Sequence, residues 1–553
     1  MKKNMQFRSK TATVLLFSLV LLVLFIPIKT PFIYYDEGFI VFNATRVLGG
    51  DVPYKDFGIV YPPGQFYAVA AIFKAFGTTL LAARIYDTVV RFVIVIAVYL
   101  ITKHEGHAHI LSLLACTTTV LLLGSARFFT YPVFPALALC LLSILSLLEY
   151  SDTGQRRWLL LNGTLIGIAT LFRWDIGLYA GISVVSTVFL FHFFSVAQES
   201  KSLIKALFAA SKLVILVLGG ALAIALPCYG HLSLISGFGN LWAQVVVFPT
   251  TSFHMRWLPY PPPIPTFFAA LINLSTFRSA YSELLSWLRF YLPLATFGTA
   301  FSYFGYSLLS KRTTTFAKRY FGSTALCIFG VLLFAQALGR YDYIHVIPTS
   351  IVAFLVIVSL VNYVALNFQN RVNVSILVLL IALGTLYFYA PIRYLLSSIG
   401  NYSPLGCYSY TDRASCVYLS SDQEQAVEYI RAHTQKGEAI FVGNRRHDLI
   451  WINDIGFYFL SDRPSATSYH DLVTGVVTTL PVQKIIAHDI QSKNVNWIVL
   501  VNIPESGEPN ASTISSGVYY LDDFIRSEYA QVAEFGNYEI RERVTKSLAH
   551  IGN

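Results

Sequence analysis

Apolar runs long enough to cross a membrane recur along the first two thirds of the sequence. A helix needs about 20 predominantly apolar residues to span the hydrocarbon core of a bilayer. Together the runs predict about eleven transmembrane helices, and an odd number of crossings places the two chain ends on opposite sides. The runs lie near residues 13–28, 80–102, 108–124, 130–148, 158–173, 175–195, 207–230, 286–309, 320–338, 344–365 and 373–393.

Two stretches between these runs, residues 30–79 and 231–283, are too long to be simple connectors. The first contains amphipathic segments at 39–48 and 65–76, a pattern typical of helices that lie at a membrane surface. The second is rich in proline, which excludes a long helix. Its prolines are Pro259, Pro261, Pro262, Pro263 and Pro265. We expect both loops to carry function, because long ordered loops usually do.

The pattern changes after about residue 391, and residues 421–553 read as an α/β domain. Asp422 is suited to cap a helix whose apolar face includes Ala426, Val427 and Ile430. The remaining predicted elements are strands at 439–442 and 497–501, a helix near 482–490, and a hairpin of 529–535 with 538–540 around Gly536 and Asn537. The sequence thus predicts a membrane domain at 1–395, a linker at 396–420 and a separate α/β domain at 421–553.

The composition supports a membrane protein and excludes several other classes. Hydrophobic residues make up 55% of the 553 residues and charged residues only 13%, about half the usual share of a soluble chain. A soluble protein with so few charges lacks the polar surface it needs. The same composition excludes disorder, collagen-like repeats and a disulfide-dense scaffold.

The formal charge of +10 is distributed as expected for membrane orientation. Basic residues precede the first run, and no small-residue cleavage site follows it, so we interpret it as a retained helix with a cytoplasmic amino terminus. The α/β domain then lies outside the cytoplasm, and nothing indicates nucleic-acid binding. The other basic residues of predicted cytoplasmic loops are Lys103, Arg156, Arg157, Lys201, Lys205, Lys311, Arg312, Lys318, Arg319 and Arg371.

An acidic pair, Asp36 and Glu37, comes directly after the first helix on the predicted outer side. One reading is a helix cap for an interfacial helix that starts near Gly38. The other is a general base or a metal ligand in a cleft at the membrane surface.

Further charged groups fall at the outer ends of other helices. Arg84, Asp87 and Arg91 share one helix face, which fits either an internal ion pair or, for Arg84, contact with an anionic headgroup. Arg173 and Asp175 interrupt the apolar sequence, as do Arg340, Asp342 and His345, either as solvated turns or as a phosphate site. These charged groups and the two long loops fall on the same predicted outer side of the membrane. This arrangement indicates chemistry on an anionic, lipid-borne substrate at the outer surface.

Six cysteines are present, and four of them fall in predicted spans, where small buried side chains are expected. Cys407 and Cys416 lie in the linker outside the cytoplasm, where either a disulfide or free thiols fit. No Cys/His spacing matches a structural zinc site.

These features resemble the GT-C superfamily of membrane glycosyltransferases, in the bacterial branch that is similar to protein mannosyltransferases and the lipid A aminoarabinose transferase. The resemblance covers most of the chain and implies an integral protein of the bacterial inner (plasma) membrane. It depends on the Asp36-Glu37 pair, on the loop with Tyr61-Pro62-Pro63-Gly64, on Ala82-Ala83-Arg84 at the start of the second helix, and on the many-helix body with an outer carboxyl-terminal domain.

The resemblance implies an inverting glycosyltransferase, a hexosyl- or pentosyltransferase, that uses a polyprenyl-phosphate-linked sugar. It implies that Asp36 orients or deprotonates the acceptor hydroxyl and that Glu37 supports it or helps to hold a divalent metal. No metal ligand set and no cofactor is specified by the sequence. The predicted donor-phosphate residues are Arg340, His345, Arg84 and Arg173. The predicted supporting and acceptor-loop residues are Tyr35, Asp56, Tyr61, Asp175 and Asp342.

Two other classes of function stay open at this point. A transporter or flippase for a lipid-linked glycan predicts charges near mid-bilayer and broken helices in matching halves, whereas the charges here gather at one surface. An assembly protein would use the α/β domain to recruit a partner. The acceptor, whether lipid, glycan or protein, and the identity of the sugar are not specified by the sequence.

Overall fold

Long apolar helices make up most of the structure, a computed structural model that describes residues 2–106, 109–251, 253–263, 272, 277–309, 313–367 and 374–544. The helices of the amino-terminal part are α1 (Lys2–Phe25), α2 (Asp36–Leu48), α3 (Gly64–Phe76), α4 (Leu80–His104), α5 (His109–Gly124), α6 (Val133–Thr153), α7 (Arg157–Phe172), α8 (Trp174–Ser200), α9 (Leu203–Ser236), α10 (Phe238–Trp242), α11 (Phe248–Thr251), α12 (Phe277–Leu309), α13 (Thr313–Gly339), α14 (Tyr343–Asn367) and α15 (Val374–Asn401).

Six of the described helices are long and apolar enough to cross a membrane, and the chain is a polytopic helical membrane protein. Shorter apolar helices occur at Thr13–Lys29, His109–Gly124 and Arg157–Phe172. The count of about eleven spans stays a prediction. Pro265, Lys311, Arg312 and Arg371, on which parts of the proline and charge arguments depend, lie outside the described residues.

The ninth helix runs further than the sequence pattern predicts. It continues from Leu203 through Pro227 to Ser236, whereas we placed the start of a loop at residue 231. The residues after 230 keep apolar side chains at helical spacing, and the helix ends only at Gly237, whose φ of 83° favours glycine.

The two amphipathic segments of the first loop form the helices α2 and α3, which pack against each other at Phe39 and Phe66, with ring centroids 5.7 Å apart. The next helix, α4, begins at a conventional cap, because Thr79 Oγ1 accepts a hydrogen bond from the Ala82 amide at 3.1 Å. The segment between the first two long helices is therefore an ordered part of the core.

The carboxyl-terminal part is an α/β unit with a four-stranded sheet in the order β1-β2-β4-β3. β1 (Phe441–Asn444) and β2 (Trp497–Val501) are parallel, while β4 (Tyr538–Arg543) runs antiparallel to both β2 and β3 (Tyr529–Phe535). The helices of this unit are α16 (Ser421–His433), α17 (Gly456–Ser461), α18 (Leu480–Ser492) and α19 (Tyr520–Glu528).

The strand at 497–501 and the closing hairpin agree with the sequence-based prediction. Two details differ. The first strand begins at Phe441 rather than at 439, and the cap of α16 is Ser420, whose side chain accepts from the Gln423 amide, rather than Asp422. The Ser420 hydroxyl lies one residue before the helix, where a cap must be, whereas Asp422 is already inside its first turn.

The α/β unit packs directly on α2, and one hydrophobic core runs through both. Gly38 on α2 lies so close to α17 that an added Cβ would be 2.5 Å from the Gly456 amide nitrogen. That amide donates to the Tyr34 carbonyl at 2.8 Å, and Phe42 stacks on Tyr458 at 4.9 Å. Glycine at position 38 thus permits a backbone contact that fixes the start of α2 against the α/β unit.

Candidate active site

Asp36 is the first residue of α2 and lies where the long loops, the helical bundle and the α/β unit meet. Its carboxylate lines three adjoining cavities. A carboxylate is favoured in the first turn of a helix by the helix dipole. Residues that line these cavities with it, from distant parts of the chain, include Tyr35, Tyr61, Arg256, Arg340, Asp342, His345 and Asp471.

Glu37, the other member of the acidic pair, points away from these cavities. Its two carboxylate oxygens accept from Arg84 Nε and Nη2, each at 2.7 Å, and both side chains are fully buried. Arg84 also donates to the carbonyls of Ile28 and Thr30 at 2.9 and 2.7 Å. The catalytic or metal-binding role for Glu37 and the phosphate-binding role for Arg84 do not fit this placement, because neither side chain has a free group that faces the cavities.

Arg340 and His345 face the cavities and are held by carboxylates. Arg340 donates from Nε to Asp342 at 3.0 Å and pairs with Glu508 of the α/β unit through Nη1 at 3.1 Å and through Nη2. Asp342 caps α14 by accepting from the His345 amide, and His345 Nδ1 lies 2.7 Å from the same oxygen. Asp342, the cap of α14, thus contacts both the Arg340 guanidinium and the His345 imidazole, and this shared carboxylate holds the two groups side by side.

A second cation, Arg256, comes from the proline-rich loop, and sequence analysis did not single it out. Arg256 Nη1 donates to the Tyr35 hydroxyl at 3.3 Å, and that hydroxyl donates to Asp471 Oδ1 at 3.3 Å. Arg340 Nη1 donates to the Arg256 carbonyl at 3.0 Å. The Nε of Arg256 is buried without a hydrogen-bond partner among the described residues. This cation therefore keeps a free donor beside Asp36.

Arg173 and Asp175 lie in a neighbouring cavity that also contains Tyr61, Arg340 and His345. They form a bidentate pair at 3.0 and 2.6 Å, and the guanidinium lies 5.4 Å from the centre of the Tyr61 ring. The structure therefore brings these predicted site residues together with the cluster around Asp36.

Three other carboxylate or arginine positions named from the sequence are placed elsewhere. Asp56 accepts from the Val52 amide at 2.7 Å and stabilises a turn of the first loop, outside the cavity lining. Asp87 and Arg91 form a buried ion pair at 2.6 Å, and Arg91 also donates to the Leu123, Ala126 and Phe128 carbonyls. The supporting role that we predicted for Asp56 at the site does not fit, because its carboxylate is hydrogen-bonded to the backbone of its own loop.

The protonation of the acidic groups follows from their surroundings. Burial raises the pKa of Asp36 above its ordinary value, against the lowering effect of Arg256 and His345. Burial likewise raises the pKa of Asp471 to about 6. Burial acts in the same sense on Asp342, but His345 and Arg340 outweigh it and hold the pKa of Asp342 at about 2. Asp36 and Asp471 are thus two carboxyls whose pKa is raised although both lie near the permanently charged Arg256.

The divalent metal that the sequence leaves possible stays a prediction for this site. Among the residues that the structure describes, no group of three His, Cys, Asp or Glu side chains is placed to hold one. Glu37, the ligand proposed from the sequence, has both oxygens engaged by Arg84. Asp342 is likewise engaged by Arg340 and His345.

Cys407 and Cys416 are joined in a disulfide in the linker before the α/β unit. Lys29 at the end of the first helix donates to the neighbouring Gly406 carbonyl at 2.7 Å. Cys116, Cys140 and Cys327 are buried and unbonded. The disulfide therefore lies near the carboxyl end of α1, at the same end of that helix as Asp36.

The comparisons with known proteins place this architecture in context. A family model described as dolichyl-phosphate-mannose-protein mannosyltransferase matches residues 60–227. ArnT from Cupriavidus metallidurans in the apo state is similar in fold, with 12% identity, a TM-score of 0.54 and coverage of 97% of this chain and 98% of that chain. A search of curated proteins by sequence gives no significant match.

Two further solved structures align with lower scores. ArnT from Cupriavidus metallidurans bound to undecaprenyl phosphate has 12% identity and a TM-score of 0.47, with 97% of this chain and 99% of that chain covered. The oligosaccharyltransferase of Archaeoglobus fulgidus, in complex with Zn and sulfate, has 14% identity and a TM-score of 0.47, with 88% and 67% covered. The family model matches residues 60–227 and apo ArnT shares the fold, and both findings agree with the resemblance to the GT-C superfamily stated from the sequence.

Proposed function

We propose that this GT-C membrane glycosyltransferase moves a sugar from a polyprenyl-phosphate donor to a hydroxyl of an acceptor, with inversion at the anomeric carbon. The observation that carries the proposal is the position of Asp36, a carboxyl with a raised pKa, at the junction of cavities lined by Arg256, Arg340 and His345. A base beside an anion site is the combination that this reaction needs.

In the proposed reaction, Asp36 accepts the proton of the acceptor hydroxyl while that oxygen forms a bond to the anomeric carbon. The bond between the anomeric carbon and the phosphate oxygen breaks on the opposite face, and its electrons leave with the polyprenyl phosphate. The leaving phosphate needs charge stabilisation more than a proton. Arg256 and Arg340 supply positive charge and N–H donors on that side, His345 lines the same cavity, and Arg173 lies in the adjoining cavity.

A polyprenyl-phosphate donor is supported by the family description, which names dolichyl-phosphate-mannose. It is also supported by the setting, because guanidinium groups at the end of apolar helices suit a phosphate whose lipid tail lies in the bilayer. We place the site at the extracytoplasmic face, since the basic residues of the opposite loops favour the cytoplasm. Mass spectrometry of lipids and polysaccharides from cells with and without the protein identifies the acceptor class and distinguishes a hexose from a pentose.

The first test of the proposed function is polyprenyl-phosphate binding by an Arg340→Gln variant. We expect its affinity for undecaprenyl phosphate in nanodiscs to fall by about tenfold or more, because a charge-assisted contact to an anion contributes about 1.5–3 kcal/mol. The matched control is Glu508→Gln, which breaks the same Arg340–Glu508 ion pair but keeps the cation.

The Glu508→Gln variant should bind undecaprenyl phosphate as tightly as the wild type, or more tightly. Equal losses in both variants would mean that the ion pair, rather than the cation, matters for binding. Unchanged affinity in the Arg340→Gln variant would exclude Arg340 from the phosphate site.

The pH dependence of transfer offers a second test, at Arg256. Asp36 must be deprotonated to act as a base, so activity is lost as the pH falls through its raised pKa. Arg256 lowers that pKa, so Arg256→Gln should move the acidic limb of the pH–rate profile to higher pH. The measurement is the initial rate of transfer across the pH range in detergent-solubilised protein.

The control for this experiment is Arg526→Gln, which removes an exposed arginine of the α/β unit and should leave the limb in place. A limb that stays fixed, or that moves to lower pH, in the Arg256→Gln variant would contradict the assignment of Asp36 as the titrating base.

A further inference from the structure

A separate cavity of about 460 Å³ lies on another side of Asp36 and is not explained by the donor site. Asp36 and Phe128 form part of its wall, and they also line the cavities that hold Arg256 and Arg340. The lining of this cavity does not include the residues of the proposed donor site, which are Arg256, Arg340, His345 and Arg173. Its cations are instead Arg127 and Arg289.

These two arginines are positioned by aromatic rings rather than by carboxylates. The Arg289 guanidinium lies 4.2 Å from the centre of the Tyr343 ring, and that of Arg127 lies 4.9 Å from the centre of the Tyr394 ring. Tyr343 is held in turn by a hydrogen bond of 2.5 Å between its hydroxyl and Ser125 Oγ. Stacking on a ring fixes the plane of a guanidinium and leaves its N–H donors available.

Neither arginine has an ion-pair partner among the described residues, and Arg289 Nε is buried without a hydrogen-bond acceptor. The carboxylates that line the same cavity are Asp36 and Asp342, and Asp342 is already engaged by Arg340 and His345. A cation with a buried and unused donor is costly unless an acceptor satisfies that donor. The cavity therefore has the charge and the free donors to bind an anionic group.

A single leaving phosphate needs only one of the two cationic sites that flank Asp36. We propose that the Arg127–Arg289 cavity binds an anionic group, phosphate or carboxylate, that the acceptor carries close to the hydroxyl that receives the sugar. This inference rests on the proposed function, since it takes the Arg256–Arg340 side as the donor side. Because Arg127 is exposed, the cavity opens to solvent, which suits a polar acceptor headgroup.

The test compares small probes on the full-length protein in nanodiscs. Glucose 6-phosphate and glucuronate present a phosphate or a carboxylate next to sugar hydroxyls, and glucose is their neutral counterpart. We expect one or both anionic probes to bind more tightly than glucose, and an Arg127→Gln/Arg289→Gln double variant to lose about tenfold or more of that affinity. Which anionic probe binds identifies the group as phosphate or carboxylate.

Two controls separate this inference from the proposed function. Arg278→Gln removes an exposed arginine from the same helix, α12, and should leave probe binding unchanged. Undecaprenyl phosphate should bind the double variant within about twofold of wild type, whereas Arg340→Gln weakens it. If the double variant loses undecaprenyl phosphate and keeps the sugar probes, the cavity belongs to the donor and the inference is wrong.

The remaining outcomes are equally decisive. Equal binding of glucose and the two anionic probes, or anionic binding that the double variant retains, would overturn the second anion site. A failure of undecaprenyl phosphate to bind even the wild type would instead count against the proposed donor, and leaves the comparison of sugar probes readable on its own.

Discussion

Cells that carry Asp36→Asn in place of the wild-type protein are expected to lack the transferred sugar. Asparagine keeps the size and the first-turn position of Asp36 but cannot accept the acceptor proton. General-base catalysis contributes about 10²–10⁴-fold, so the rate should fall by that factor. The measurement is mass spectrometry of lipids and polysaccharides from cells without the protein, restored with wild type or with the variant. The same comparison identifies the sugar and the acceptor.

The control for this experiment is Asp56→Asn, which changes a carboxylate of the same loop that lies outside the cavities. Asparagine can still accept from the Val52 amide, so transfer should persist. Protein levels in the membrane must be equal in all strains. Sugar transfer that survives in both Asp36→Asn and Asp36→Ala would rule out the proposed base.

The neighbouring acid should respond differently, because Glu37 stabilises the fold. Glu37→Gln leaves Arg84 as a fully buried cation without its bidentate partner. Breaking a buried pair by removing one member typically costs about 3–5 kcal/mol, so we expect a large loss of thermal stability. The measurement is the fraction of monodisperse protein that remains in detergent after heating. The pH–rate profile of the protein that survives should keep its wild-type shape, because Glu37 takes no proton in the reaction.

Two companion variants make this prediction specific. A Glu37→Met/Arg84→Met double variant removes both charges and should recover part of the stability that Glu37→Gln loses. Asp51→Asn breaks the partly exposed Arg46–Asp51 pair and should cost about 1 kcal/mol or less. If Glu37→Gln is as stable as wild type but inactive, the acid acts in catalysis and our structural assignment is incorrect.

The difference between these two adjacent acids shows where sequence reasoning reaches its limit. Both follow the first helix, both break the charge bias of their side, and nothing in the local pattern separates them. One helical residue rotates the direction of a side chain by about 100°, so Asp36 faces the cavities while Glu37 faces α4. The partner that captures Glu37 is Arg84, 47 positions away in the chain. Only the tertiary structure, which brings the start of α2 beside the start of α4, reveals that pairing.

Arg256 and Asp471 show the opposite case, functional candidates that carry no local signal. Arg256 lies in the proline-rich loop, and Asp471 lies in the α/β unit, 436 positions after Tyr35 in the chain. Two consecutive hydrogen bonds, from Arg256 to Tyr35 and from Tyr35 to Asp471, join three separate parts of the chain. The only local hint at Arg256 in the sequence is that a basic residue lies in a long loop.

The sequence by itself determined that the chain is a polytopic helical membrane protein. The length of an apolar segment and its lack of charges are local properties, and they decide whether the segment is more stable in lipid than in water. It also singled out Asp36, the polar group of Arg340, Asp342 and His345, and the hairpin at the end of the chain, each of which depends on residues close in sequence. Only the tertiary structure decided which charged side chains are fully engaged in ion pairs and which keep free hydrogen-bond donors. That division depends on contacts between distant segments, such as Arg84 with Glu37 and Arg340 with Glu508, and no local pattern of residues encodes them.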